Sequence, residues 1–178
     1  KSQDPNRLAK DAAQRFTSGL LDRDRAAVIE FDNFGRVQQP LTSNFTAVNQ
    51  SIRNLEYEGG NGGTDFASIG AANEHFMQRS SPDRGKIMIF LTDGRSLYAD
   101  GTEKAAEAAE NNITIYAIGF GGASRSQLAP IAEQTGGNVS LVDSAADLPE
   151  VFSRVAENTT TINDTDGDGL SDERETSG

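Results

Sequence analysis

The 178-residue chain has no cysteine and a single histidine, His75. Disulfides, thiol chemistry and zinc sites of the usual Cys/His kind are therefore excluded, while hard, oxygen-bound cations stay open. Positive charge is scarce as well: 16 lysines and arginines face 27 aspartates and glutamates, for a net charge of -11. That balance repels phosphate backbones and anionic lipid, so nucleic acid and membrane surfaces are poor partners and divalent cations good ones. No apolar run approaches the roughly 20 residues of a membrane span, which argues against direct membrane insertion. The opening Lys1-Ser-Gln-Asp-Pro5 has neither the basic nor the apolar zone of a signal peptide, so any export signal is expected to be removed or to lie outside the chain. The length allows one main domain and a short appendage.

The chain is organised around Lys86-Ile-Met-Ile-Phe-Leu-Thr-Asp-Gly-Arg95. The unbroken apolar run from Ile87 to Leu91 lacks the alternation of a half-wet strand and reads as one buried on both faces, at the centre of a parallel sheet. It delivers Asp93 to the carboxyl end of that strand, where open α/β sheets bind ligands. Asp93 is the first site candidate; Asp-Gly is also an ordinary turn signal.

In chain order, Asp4-Pro5 starts a helix with Leu8, Ala12, Phe16 and Leu20 at helical spacing. Ala26 to Phe31 reads as a strand, Gly35 as a turn and Arg36 to Gln39 as a short return strand. Thr42-Ser43 can cap a helix carrying Phe45, Val48, Ile52 and Leu55. A glycine-rich loop, Glu58 to Asp65, leads into a helical stripe of Phe66, Ile69, Phe76 and Met77. Thr102 is expected to cap a helix to Glu110, Ile113 to Phe120 to be a buried strand, and Ser126 to start a short helix stopped at Gly136-Gly137. Val139 to Val142 is the last strand, and Leu148, Val151, Phe152 and Val155 mark the last helix. This alternation of strands and helices predicts a doubly wound, mostly parallel α/β sheet flanked by helices.

Five phrases in order and spacing resemble the von Willebrand factor type A domain: the helix Asp4 to Leu21, Asp24-Arg-Ala-Ala-Val-Ile-Glu-Phe-Asp32, Pro40-Leu-Thr42, Gly62-Gly-Thr64 and Leu91-Thr-Asp-Gly94. They cover residues 1 to 158, which set the domain; residues 159 to 178 form a linker and acidic loop. The resemblance implies a Rossmann-like fold with a metal-ion-dependent adhesion site atop the sheet. It binds magnesium or a similar divalent cation, and a protein ligand's carboxylate completes the shell. By match, Thr64 is the threonine ligand and Asp93 the aspartate, often acting through water.

The family's remaining ligands lie in an Asp-x-Ser-x-Ser motif directly after its first strand, and this chain contains no such motif. The resemblance places that strand just before Lys1, between Ala26 to Phe31 and Ile87 to Leu91. Without it two inner strand edges would be unpaired, each unmet buried backbone group costing about 1–3 kcal/mol. The strand is expected from elsewhere: from a cleaved precursor piece, from another chain by strand complementation, or from residues beyond the boundary. Magnesium takes about six oxygens, and Thr64 with Asp93 supplies only a part of them, so the bare chain should bind it poorly.

A second acidic site closes the sequence. Asp164-Thr-Asp-Gly-Asp-Gly-Leu-Ser-Asp-Glu-Arg-Glu175 matches the D-x-[DN]-x-[DN]-G-x5-E calcium pattern. Carboxylates of Asp164, Asp166, Asp168, Asp172 and Glu175 and the carbonyl of Leu170 would bind calcium, with Gly169 making the sharp turn. Flanks this poor in helix resemble a thrombospondin type 3 repeat more than an EF-hand; a solvated acidic linker is the plainer alternative. Six Asn-x-Ser/Thr sequons, at Asn44, Asn49, Asn112, Asn138, Asn158 and Asn163, stand where composition alone yields about two. The excess favours an exported glycoprotein.

Other features are weaker. Gly119-Phe-Gly-Gly122 lacks the dinucleotide fingerprint and a following P-loop lysine. His75, beside Phe76 and Met77, reads as a packing residue rather than a base, and no nucleophile is spaced to suggest a triad. Arg95 and Tyr98 could rim a binding face. The reading is a secreted or surface-displayed, non-enzymatic protein-binding module joined to a calcium-loaded spacer. A structural subunit of a surface filament or layer, linked by strand donation, is the alternative; an intracellular assembly factor of the chelatase-associated sort fits worse.

Overall fold

The computed structural model describes residues 5–32, 34–56, 65–81, 84–93, 96, 100–143 and 145–161. Helix α1 (Pro5–Ser18) leads into a hairpin of β1 (Ala26–Phe31) and β2 (Gly35–Thr42), then α2 (Phe45–Asn54). A 3₁₀ turn at Phe66–Ser68 runs into α3 (Ile69–Arg79), followed by β3 (Lys86–Thr92), α4 (Thr102–Glu110), β4 (Ile113–Phe120), α5 (Arg125–Glu133), β5 (Val139–Val142) and α6 (Leu148–Thr161). This is the expected α/β alternation. Among the described residues no helix is long and apolar enough to cross a membrane.

The helices cover both faces of the strands. On one face Phe66, Ile69, Ala105, Leu128 and Ile131, from the 3₁₀ turn and α3 to α5, bury Met88 and Phe90 of β3 with Ile113, Ile115 and Ala117 of β4. On the other, Ala12 and Phe16 of α1 and Leu148, Val151 and Phe152 of α6 pack on Ile89, Leu91, Ile118 and Phe120. Val48 and Ile52 of α2 cover Val28 of β1 on that same side, with Ala13 of α1 joining the two clusters. Alternate residues of each strand thus serve opposite layers, as the strand period of two requires.

The strands form two separate ladders. β3, β4 and β5 make a three-stranded parallel sheet in that order, while β1 pairs antiparallel with β2. β3 is therefore not flanked by described strands on both sides: it pairs with β4, and its other edge faces β1 without pairing to it. The two strands nonetheless run the same way. At their amino ends Arg84 Nη1 donates to the Arg23 carbonyl at 2.9 Å, and near their carboxyl ends the Phe31 and Phe90 rings stack at 4.9 Å. The space between belongs to a larger open cleft of about 2150 Å³ that β1 and β3 line along their length, together with residues of α1, α2 and β2.

Several boundaries differ from expectation. The return strand runs on through Pro40 to Thr42, which an edge strand tolerates because proline's missing N–H costs no ladder bond there. The cap of α2 is Asn44, whose side chain accepts from the Ala47 N–H, while Thr42 Oγ1 accepts from the Asn44 N–H at 3.1 Å. Thr102 is the first residue of α4 rather than its cap, because Asp100 Oδ1 accepts from both its N–H (3.0 Å) and its hydroxyl (2.7 Å). The Thr102 hydroxyl, then its N–H, holds the Asp100 carboxyl below its ordinary value. α5 starts one residue earlier than expected, at Arg125.

Candidate functional site at the strand ends

The carboxyl ends of β1 and β3 open on one side of the cleft. Asp93 directly follows β3, its side chain exposed and its carbonyl accepting from the Gly122 N–H at 3.0 Å. That bond ties the β3 end to the glycine turn after β4, where Gly121 takes a φ of 60°.

Asp32 directly follows β1. Its carboxylate accepts from the Phe34 N–H at 2.9 Å through Oδ1 and from Arg36 at 3.2 Å through Oδ2. Its carbonyl accepts from the Asp65 N–H at 2.9 Å. Asp65 in turn caps the 3₁₀ turn through Oδ1 and the Ala67 N–H at 2.9 Å. The next amide, Phe66 N–H, donates to Ser96 Oγ at 3.3 Å, and Gln127 Nε2 fixes Ser96 through its carbonyl at 3.1 Å. Consecutive amides after the glycine-rich loop are thus anchored to the end of β1 and to the segment just past β3. Phe66 itself is fully buried, edge-on to Phe90 at 5.1 Å.

Of the metal candidates, Asp93 stands where the sequence put it, while Thr64 lies outside the described residues, as do Arg95 and Tyr98. Asp32, Asp65 and Ser96 were not singled out. Asp32 ends a strand as Asp93 does and carried the same signal; the tie from Asp65 to Asp32 is tertiary and left no pattern. Among the described residues no group of three or more His, Cys, Asp or Glu side chains could hold a metal. Asp93's exposed oxygens suit a hard cation, but Asp32 and Asp65 are engaged with arginine and backbone N–H groups, so the described donors fall short of a magnesium shell.

The acidic segment expected to bind calcium, with Asp164, Asp166, Asp168, Leu170, Asp172 and Glu175, lies outside the described residues, as does Asn163. Of the sequon asparagines, Asn44 and Asn138 are exposed, and Asn112 is exposed at a positive φ of 54° in the turn before β4. Asn49 is committed, accepting from the Thr17 hydroxyl at 2.6 Å. Asn158 lies on α6. His75 is buried on α3, and its Nε2 accepts from the Leu41 N–H at 3.0 Å, which fixes the proton on Nδ1. It is a packing residue bonded to the edge strand.

A sequence profile of the von Willebrand factor type A domain matches residues 2–154. Vitrin of Mus musculus is 33% identical over 109 residues, 61% of this chain and 16% of vitrin. The collagen alpha-1(XXI) chain of Xenopus laevis is 33% identical over 99 residues, 54% of this chain and 10% of that protein. The chain therefore matches only a small part of these curated relatives. Among solved structures, BatB from Bacteroides thetaiotaomicron superposes with a TM-score of 0.77 at 18% identity, covering 90% of this chain and 89% of that one. Proximal thread matrix protein 1 from the mussel byssus, in a form described as having a zinc-occupied MIDAS motif, gives 0.72 at 21% identity over 87% of this chain and 43% of that one. With the profile spanning most of its length and the fold shared, this chain belongs to the von Willebrand factor type A domain family.

Proposed function

We propose that the chain is a protein-binding module of an extracellular or cell-surface protein, with its binding face at the carboxyl ends of β1 and β3. The observation that carries the reading is the pair of bonds from Asp65 N–H to the Asp32 carbonyl and from Phe66 N–H to Ser96 Oγ. They anchor the residue after Thr64 at the mouth of the cleft, on the same side as Asp93. Thr64 and Asp93 would supply part of the shell of magnesium or another divalent cation, and an Asp-x-Ser-x-Ser segment from outside this chain the remainder. The cation would offer a positive acceptor to an acidic residue of the protein ligand. The collagen chain and thread matrix protein among the relatives support an extracellular setting, with which the exposed sequons and a calcium-stabilised spacer at 164–175 agree. Catalysis forms no part of this reading.

Calorimetric titration with magnesium, in the presence of a peptide carrying the Asp-x-Ser-x-Ser motif, tests it. Binding should be lost in Asp93→Ala and in Thr64→Ala; equal binding by both variants and the parent would sink the metal site. A second reading, a subunit of a surface filament or layer joined by strand donation, would use the facing edges of β1 and β3, which do not pair with each other.

A further inference from the structure

We infer that Gln127 of α5 is a positioning residue for the proposed binding face: it clamps the segment after β3 and, through Ser96, the amide of Phe66. Its role rests on the protein-binding reading and adds to it a residue that acts through another. Two bonds fasten the segment that begins with Asp93. The Gly122 N–H, in the turn after β4, donates to the Asp93 carbonyl at 3.0 Å, and Gln127 Nε2 donates to the Ser96 carbonyl at 3.1 Å. From Ser96 the path crosses to the residues after the glycine-rich loop, its Oγ accepting from the Phe66 N–H at 3.3 Å. The preceding amide, Asp65 N–H, reaches the Asp32 carbonyl at the end of β1 at 2.9 Å. Gln127 thus stands at the root of a chain of bonds that spans the face.

The helix behind it is a firm anchor. Leu128 and Ile131 are fully buried in the layer that covers β4, and the Ser124 carbonyl accepts from the N–H groups of both Gln127 and Leu128 at 3.1 Å. Packing therefore fixes α5, and the amide of Gln127 carries that position to a residue 31 away in the chain. Stability does not account for a glutamine here. Its Oε1 is buried without a hydrogen-bond partner, and an unmet buried acceptor costs at least as much as one amide bond returns. An apolar side chain of the same length would serve the fold as well, but would release Ser96.

Gln127→Met keeps the length and the apolar stem and removes the amide, and amide exchange is read beside thermal unfolding. The Phe66 amide should exchange about tenfold faster than in the parent, while the unfolding midpoint holds or rises and the amides of β4 keep their protection. Ser96→Ala removes the other link and should free the same amide; adding Gln127→Met to it should change little more. A lowered midpoint with β4 and Phe66 loosened in proportion would mark ordinary support of the fold and overturn the proposal. Parent-like exchange at Phe66 would overturn it as well. Magnesium titration beside the Asp-x-Ser-x-Ser peptide separates the clamp from the reading it serves. Binding several-fold weaker in Gln127→Met than in the parent is expected, and equal binding would overturn the positioning role. No binding by the parent would sink the metal site alone, with the exchange rates still deciding the clamp.

Discussion

The rings of Phe31 and Phe90 stack at 4.9 Å with 23° between their planes, joining two strands that share no backbone ladder. Side chains hold the halves of the sheet in register at this level. Phe90 is buried and also meets Phe66 edge-on, whereas Phe31 packs on the same cluster only partly buried.

Phe90→Ala should therefore cost about 3–5 kcal/mol, the range for a buried phenylalanine, and Phe31→Ala less, about 2 kcal/mol. Urea denaturation reads both. A double variant costing less than the two single changes added together would confirm that the rings act as a pair; strict additivity would show that they do not.

The architecture was legible where burial alone decides. The run Ile87 to Leu91 announced its strand because two covered faces demand unbroken hydrophobicity, and Ala26 to Phe31 did so with one interruption, at Glu30. Caps were less legible, since Thr42 and Thr102 carry the right chemistry but Asn44 and Asp100 compete for the same amides. At the site, Asp93 could be read from its place after a buried strand. The ties from Asp65 to Asp32 and from Phe66 to Ser96 join residues some thirty apart, and no local pattern encodes such a contact.

Two neighbouring glycines after α5 should respond differently to the same change. A Cβ on Gly137 would lie 1.9 Å from the Ile115 carbonyl oxygen, in the backbone of β4, which cannot yield. Gly137→Ala should cost about 4 kcal/mol or more. Gly136 has a φ of 78° and open space around it, so Gly136→Ala should cost only the left-handed conformation, about 1–2 kcal/mol. Thermal denaturation of the two variants checks the order, and equal losses would contradict the clash.

The acidic loop at 164–175 offers a prediction separable from the rest. Terbium luminescence or calorimetry should find one calcium site of modest strength, with a dissociation constant on the order of 10⁻⁴–10⁻³ M as in extracellular modules. Asp164→Ala together with Asp168→Ala should abolish it while leaving the melting of residues 5–161 unchanged. Undiminished calcium binding in that variant would assign the ion elsewhere.

His75 gives the domain a pH dependence with a definite sign. Burial foremost, then the charges of Arg79 and Arg25, holds its imidazole below the ordinary 6.5, and Nε2 is occupied as acceptor of the Leu41 N–H. Protonation would turn that acceptor into a donor facing a donor. Near pH 6.5 and just below, the unfolded chain binds the proton and the folded chain does not, so stability falls as pH drops through this window and levels off below the folded value. The slope cannot exceed one proton's worth, about 1.4 kcal/mol per pH unit. His75→Gln, with an amide oxygen able to accept from Leu41, should flatten the dependence between pH 5 and 7. A parent chain whose urea midpoint stays constant there would show that His75 titrates alike in both states.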